Sequence, residues 1–164
     1  MLEGVLNVGE EYVLIEKSAP DGYALSSPVE FTVKDGTKVV VTMVDILNEL
    51  DVPVVKKSES GDVLEGASLK VEGRVLGESE DITPITWVSD SKTKTLKLKP
   101  GSYTLSETAA PTDYGIASPI PFTVGTDGKI TVDGNIVTTL EMGDTMITGI
   151  KVKKESSDGK SDGV

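Results

Sequence analysis

The fold class this sequence predicts is an all-β sandwich, one complete unit with part of another, and three observations predict it. Short runs of Val, Ile, Thr and Leu are punctuated by 17 glycines and 8 prolines in 164 residues, the composition of strands separated by turns. No stretch sustains the apolar period of a long helix. One twelve-residue phrase occurs twice, as Tyr12-Val-Leu-Ile-Glu-Lys-Ser-Ala-Pro-Asp-Gly-Tyr23 and as Tyr103-Thr-Leu-Ser-Glu-Thr-Ala-Ala-Pro-Thr-Asp-Tyr114, and a repeated phrase marks a repeated structural unit.

The repeat extends beyond that phrase. Ser27-Pro-Val-Glu-Phe-Thr-Val33 matches Ser118-Pro-Ile-Pro-Phe-Thr-Val124 at the same offset, and Met43-Val-Asp45 matches Met142-Gly-Asp144. Residues 1–50 are therefore expected to be the C-terminal half of one unit and 51–149 a complete unit. Residues 150–164 are expected to be the first strand of a following repeat or a tail. Within the partial unit, Val39-Val-Val-Thr-Met-Val44 reads as strand, and a strand is preferred to a helical turn over 43–50. Residues 48–51 form a short polar joint.

In the complete unit, apolar or alternating runs predict strands at 52–57, 67–72, 84–88, 95–99, 102–107, 119–124, 129–132 and 137–142. Ser60-Gly61, Asp90-Ser91, Pro100-Gly101, Asp127-Gly128 and Asp133-Gly134 supply the turns. Pro119 and Pro121 have no N–H to give to a ladder, which predicts an edge strand or an irregular start. After this unit, Ile150-Lys-Val-Lys-Lys154 followed by Gly159 repeats Val52-Pro-Val-Val-Lys56 followed by Gly61. The whole reads as a window on a tandem array.

Composition narrows the chemistry. A net charge of −11 argues against nucleic acid or an anionic membrane as partner, since both bind through clustered Lys and Arg. With no cysteine and no histidine, the chain has no disulfide, thiolate nucleophile, imidazole base or ordinary zinc site. Asp127-Gly and Ser157-Asp-Gly lack the alternating ligands of a calcium loop and read as turns. No metal and no cofactor is expected. No signal peptide, spanning helix or Leu-Pro-x-Thr-Gly motif occurs in these residues, so any export or anchoring signal is expected outside this segment.

The ionisable residues that matter share a face with apolar ones. Strand side chains alternate between faces, so Glu107 points with Tyr103 and Leu105, and Glu16 with Tyr12 and Leu14. By the same count Lys56 is in phase with Val52 and Val54, Asp144 with Leu140 and Met142, and Lys154 with Ile150 and Val152, whereas Lys57 turns outward. Burial disfavours charge on amines and carboxylic acids alike, so a lysine and a glutamate enclosed together can meet as a neutral nucleophile and a protonated acid. Lys56 could then attack the Asp144 carboxyl while Glu107 shuttles the proton, giving an isopeptide bond in a single turnover. The alternative from spacing alone is a buried ion pair with no covalent bond, and the two stand near even.

The motifs together resemble a known family. Tyr-x-Leu-x-Glu-x-x-Ala-Pro-x-x-Tyr looks like the E-box of the Cna-B (SpaA-type) domains of Gram-positive surface adhesins and pilins. Lys56 to Gly61, Thr86-Trp-Val-Ser-Asp90, Pro100-Gly-Ser-Tyr-Thr104 and Glu107-Thr-Ala-Ala-Pro111 resemble the fibronectin-binding-protein branch from which SpyCatcher and SpyTag were split. The resemblance covers residues 52–149 and, from the E-box onward, 5–47. It implies a prealbumin- or immunoglobulin-like Cna-B sandwich, an isopeptide bond from Lys56 to Asp144 and a proton-shuttling role for Glu107, with Glu16 its equivalent in the partial unit. Many relatives use Asn as acceptor, the SpyCatcher-like branch Asp; glycine at 143 departs from the bulkier residue of that branch and from Val44.

The implied function is a structural stalk module of a cell-wall-anchored adhesin or pilus, extracellular, with neighbouring Cna-B domains as partners and no enzymatic turnover. Asp45 and Lys154 are left as unpaired isopeptide candidates, and a boundary cut through the array accounts for both. A sharper expectation is that Lys154 of one molecule docks in the open half-unit of another and bonds to Asp45. The rival class is a sandwich that binds a host matrix protein or glycan through loops such as Gly73 to Thr83, an acidic stretch more simply read as solvated. Trp87, alone in a strand, reads as core rather than as a sugar platform. An enzyme acting on an external substrate ranks third, because an enclosed triad leaves no room for one.

Overall fold

The computed structural model describes residues 6–147. Among them there are thirteen strands and no helix: β1 (Glu11–Leu14), β2 (Tyr23–Ala24), β3 (Val29–Thr32), β4 (Ile46–Leu47), β5 (Leu50–Ser58), β6 (Ser68–Val75), β7 (Ile85–Val88), β8 (Lys94–Leu98), β9 (Gly101–Ala109), β10 (Ile120–Val124), β11 (Ile130–Val132), β12 (Asn135–Val137) and β13 (Leu140–Asp144). The all-β expectation is met. A six-stranded sheet in the order β12-β11-β10-β9-β6-β7 and a three-stranded sheet in the order β13-β5-β8 supply the main core. All pairings are antiparallel except β13 with β5.

The core follows from strand alternation. Val52 and Val54 of β5, Leu96 and Leu98 of β8, and Leu140 and Met142 of β13 bury one face of the smaller sheet. They meet Leu69 and Val71 of β6, Tyr103 and Leu105 of β9, and Phe122 and Val124 of β10. Enclosing one such aliphatic side chain is worth about 1.5–3 kcal/mol. Trp87 is half-buried and packs against this core, as expected of a lone strand tryptophan.

Several sequence expectations need correction. The predicted strand over 137–142 is two strands, β12 and β13, separated by a bend at 138–139. Asp133 and Gly134 both take positive φ, 48° and 79°, and this two-residue turn folds β12 back on β11. The chain then leaves the large sheet and joins the small one as β13. Residues 50 and 51 belong to β5, opposite Leu98 and Lys97, so the polar joint shrinks to 48–49. The loop expected from residue 73 begins after Val75, where β6 ends. β10 is interior, not an edge; it starts after Pro119, and its register with β11 begins only at Thr123, so Pro121 has a strand neighbour on one side alone.

Residues 39–44, expected as strand, join no ladder. Their repeat counterpart β13 pairs with β5, and no strand among the described residues plays the part of β5 for them. β propensity without a partner does not make a strand. The preserved elements are nonetheless alike: Tyr12 opposes Phe31 and Tyr103 opposes Phe122 in register. Their ring centroids lie 5.9 and 5.6 Å apart, stacked in both cases.

One glycine is required by close approach. Gly73 on β6 opposes Tyr103 on β9 with φ 148°, and a Cβ there would lie 2.6 Å from the Tyr103 Cα. Gly73→Ala is expected to cost about 2–4 kcal/mol through strain and overpacking. A urea titration that left the midpoint unmoved would contradict this tight β6–β9 seam.

Candidate functional site

Three strands from two sheets bring the predicted triad together. In the parallel β5–β13 pair, Lys56 stands opposite Met142 and Asp144 opposite Ser58, so Lys56 and Asp144 are diagonal neighbours on the inward face. Their side chains are in direct contact, Lys56 Nζ to Asp144 Oδ1. Glu107 reaches across from β9 in the other sheet and places Oε1 3.3 Å from Lys56 Nζ. Relative exposure is 2% for Lys56, 6% for Glu107 and 0% for Asp144, so water does not screen the group.

The remaining partners define the electrostatics. The backbone N–H of Ala117 donates to Glu107 Oε2 at 2.7 Å. Glu107 Oε1 and Asp144 Oδ2 are buried without a hydrogen-bond partner among the described residues. A proton carried by Glu107 and shared with Asp144 gives both oxygens a partner, and two facing carboxyl groups cannot comfortably ionise together. Burial is the largest influence on Glu107 and pushes its pKa above the ordinary carboxylate value; the hydrogen bond with Asp144 acts the same way. The Ala117 N–H and the charge of Lys56 pull it back without cancelling the rise.

The sign for stability follows. The folded chain holds the Glu107 proton more tightly than the unfolded chain, so this group's contribution is complete below the unfolded value and is lost as pH rises through the folded one. In a carboxyl 13C titration, Glu107 is expected to titrate at higher pH than the exposed glutamates. Titration in step with them would remove it as an acid.

Beside Lys56, though not bordered by Glu107 or Asp144, lies a cavity of about 80 Å³ lined by Val54, Leu69, Trp87, Ser89, Asp90 and Lys94 among others, too small for an external substrate. Lys57 turns outward as predicted and pairs with Glu141 at 2.6 Å. Gly143 also faces out, and a Cβ there would meet nothing within 4 Å, so its departure from a bulkier residue disturbs no packing. Among the described residues no cluster suited to a metal ion occurs, and no helix is long and apolar enough to cross a membrane. Ala117 was missed because a backbone donor leaves no mark in side-chain type. Its one sequence signal was position, ten residues after the glutamate, as Ser26 is after Glu16.

In the partial unit, Glu16 and Asp45 are also brought together. Glu16 Oε2 accepts the Ser26 backbone N–H at 2.8 Å, and the Ser26 hydroxyl donates to Asp45 Oδ1 at 2.8 Å. Lys154 lies outside the described residues.

The sequence profile described as SpaA, a prealbumin-like fold domain, matches residues 4–46 and 51–138, well over half of the chain. The chain belongs to the SpaA prealbumin-like domain family. Two crystal structures of the C-terminal fragment of the pilus adhesin SpaC from Lactobacillus rhamnosus GG share this SpaA-type fold. One is 21% identical over 88% of this chain and 61% of its own, with TM-score 0.51. The other is 19% identical over 89% and 80%, with TM-score 0.50. The pilus-presented adhesin Spy0125 (Cpa) is 30% identical over 56% of this chain, with TM-score 0.47, and the match spans 21% of that adhesin's length. Among curated protein sequences nothing matches this SpaA-type chain.

Proposed function

We propose that residues 51–149 are a stalk module of a cell-wall-anchored surface adhesin or pilus, closed by a self-formed isopeptide bond between Lys56 and Asp144. On this reading residues 1–50 are the rear half of a preceding module and 150–164 the start of a following segment. The observation that carries it is the enclosed contact of Lys56 Nζ with Asp144 Oδ1, with Glu107 against both. Membership of the SpaA-type family supports it, and the solved relatives are pilus adhesins.

The chemistry balances within the triad. Transfer of a proton from the Lys56 ammonium to the Asp144 carboxylate across their contact gives an amine beside a carboxylic acid. Protonated Glu107, hydrogen-bonded to Asp144, polarises the carboxyl as Lys56 Nζ adds to Asp144 Cγ. Glu107 then moves one proton from the attacking nitrogen to the departing hydroxyl. The Nζ–Cγ bond forms, the Cγ–OH bond breaks, water leaves, and Glu107 ends protonated as it began. Holding the reactants in contact lowers the barrier by up to about 7 to 11 kcal/mol.

The bond would join the first and last strands of the module across 88 residues, which in the chain-entropy treatment of crosslinks is worth roughly 4 to 5 kcal/mol. Because β5 and β13 are parallel, the chain enters at one end of the pair and leaves at the other. Tension therefore runs along the two strands and through the crosslink. Intact mass of the denatured chain tests the reading: a deficit of about 18 Da, one water, with a Lys56–Asp144 peptide on mapping, is the expected result. The full mass would reduce the triad to a buried ionic network and bring the binding-module reading forward.

A further inference from the structure

Only Asn48 and Glu49 separate β4 from β5, and so short a link keeps the partial unit close to the complete one. A link alone still lets two bodies swing about it. Here a second contact closes the hinge. The turn at residues 20–23, held by the Tyr23 N–H on the Pro20 carbonyl, seats Gly22 against Thr126 in the turn between β10 and β11. A Cβ on Gly22 would lie 2.6 Å from the Thr126 carbonyl oxygen and 2.8 Å from its Cα, so backbone meets backbone. The Gly22 carbonyl meanwhile accepts the Asn48 N–H at 2.8 Å. One residue therefore grips the link on one side and the neighbouring unit on the other. The seat is braced as well: the Gly125 N–H donates to the Lys129 carbonyl at 2.9 Å, and the Gly128 N–H to the Gly125 carbonyl at 3.1 Å.

The turn itself does not call for glycine. Its counterpart in the repeat, residues 111–114, is closed by the Tyr114 N–H on the Pro111 carbonyl at 3.1 Å, the same length as in the first copy. There Asp113 accepts the Ile147 N–H at 2.8 Å, as Gly22 accepts that of Asn48. Asp113 holds φ 69° with its side chain in place, a conformation that aspartate tolerates better than most residues. What sets Gly22 apart is the neighbour it touches.

We propose that the 20–23 turn and Thr126 form a docking joint that holds one SpaA-type module against the next at a fixed angle, with Gly22 as the residue that lets it close. The partner surface is the β10–β11 turn of the following module. The proposal takes its module boundaries from the stalk reading and does not depend on the crosslink. Asp113 carries a Cβ at the place where Gly22 has none, so the turn at the far end of the complete module cannot seat a follower in the same way. Joints along such an array are then unequal, stiff where the turn carries glycine and looser where it carries aspartate.

The chain has no cysteine, so the pair Glu30→Cys and Thr95→Cys puts one spin label on an exposed strand position of each unit. Double electron–electron resonance on the full chain should give a single narrow distance. Gly22→Ala and Thr126→Trp should each lose it to a broad distribution, and the second leaves the partial unit's own sequence unaltered. Gly36→Ala is the control. Gly36 also has positive φ, 63°, but a Cβ there meets nothing within 4 Å, so the change brings backbone strain without a collision and should keep the narrow distance. A broad distribution in the labelled parent chain, a narrow one that survives either joint variant, or equal broadening by Gly36→Ala overturns the proposal. Intact mass keeps the two failures apart: a deficit of about 18 Da with a broad distribution refutes the joint alone, and full mass with a narrow, variant-sensitive distance refutes the crosslink alone.

Discussion

Lys56→Ala is expected to restore the full calculated mass and to lower the melting temperature by about 20 °C or more, from a loss of at least about 4 kcal/mol in a module of this size. Lys57→Ala, one residue along the same strand, removes a partly exposed pair with Glu141 and should change stability by less than about 1 kcal/mol. The contrast measures what enclosure and covalency add to the same side chain. A second comparison separates a crosslink from an ion pair. Replacing a buried ion pair by apolar residues of similar volume is often neutral or stabilising, so a Lys56→Met, Asp144→Leu double variant melting with the unaltered chain would mean that no covalent bond was contributing. A large drop in the double variant as well as in Lys56→Ala is the outcome expected of a crosslink.

Glu107→Gln should leave the fold in place and slow the loss of water by about 10²- to 10⁴-fold, the range of general acid–base catalysis. The amide keeps the shape of the side chain and can still accept the Ala117 N–H through its oxygen. It cannot give up a proton to the departing hydroxyl and regain one from the attacking nitrogen. Freshly purified Glu107→Gln should therefore run near full mass with unchanged far-ultraviolet circular dichroism, acquiring the deficit over hours to days. If it shows the complete deficit at the first time point, Glu107 is a neighbour of the reaction and not its proton carrier.

The triad was legible because strands alternate with period two and the phrase occurs twice. Counting from Tyr103 to Glu107, and from Leu140 to Asp144, assigns each ionisable group to the apolar face, and the structure places each one there. What the sequence did not disclose depended on partners. Val39 to Val44 has every local quality of a strand, but a strand exists only when another takes up its hydrogen bonds. The division of β12 from β13 was hidden because Val137-Thr-Thr-Leu continues the β-branched and apolar pattern through the bend. Two β-branched threonines mark no turn by composition, and the change of sheet is imposed by what lies on either side. The Ala117 N–H was invisible for a related reason: any residue except proline carries one.

The parallel pairing of β5 with β13 also orders events in time. These strands stand at the two ends of the module, and contact between them closes its longest loop, so on topological grounds it is among the slowest to form. The proposed chemistry requires that contact and Glu107 from the opposite sheet together, and is therefore confined to chains that have already found their native arrangement. Each crosslinked molecule would then carry a permanent record of having once folded. A mass spectrum of a denatured sample would count the successes, and a chain unfolded afterwards would search for its native state as a closed ring, with its most distant pairing already made.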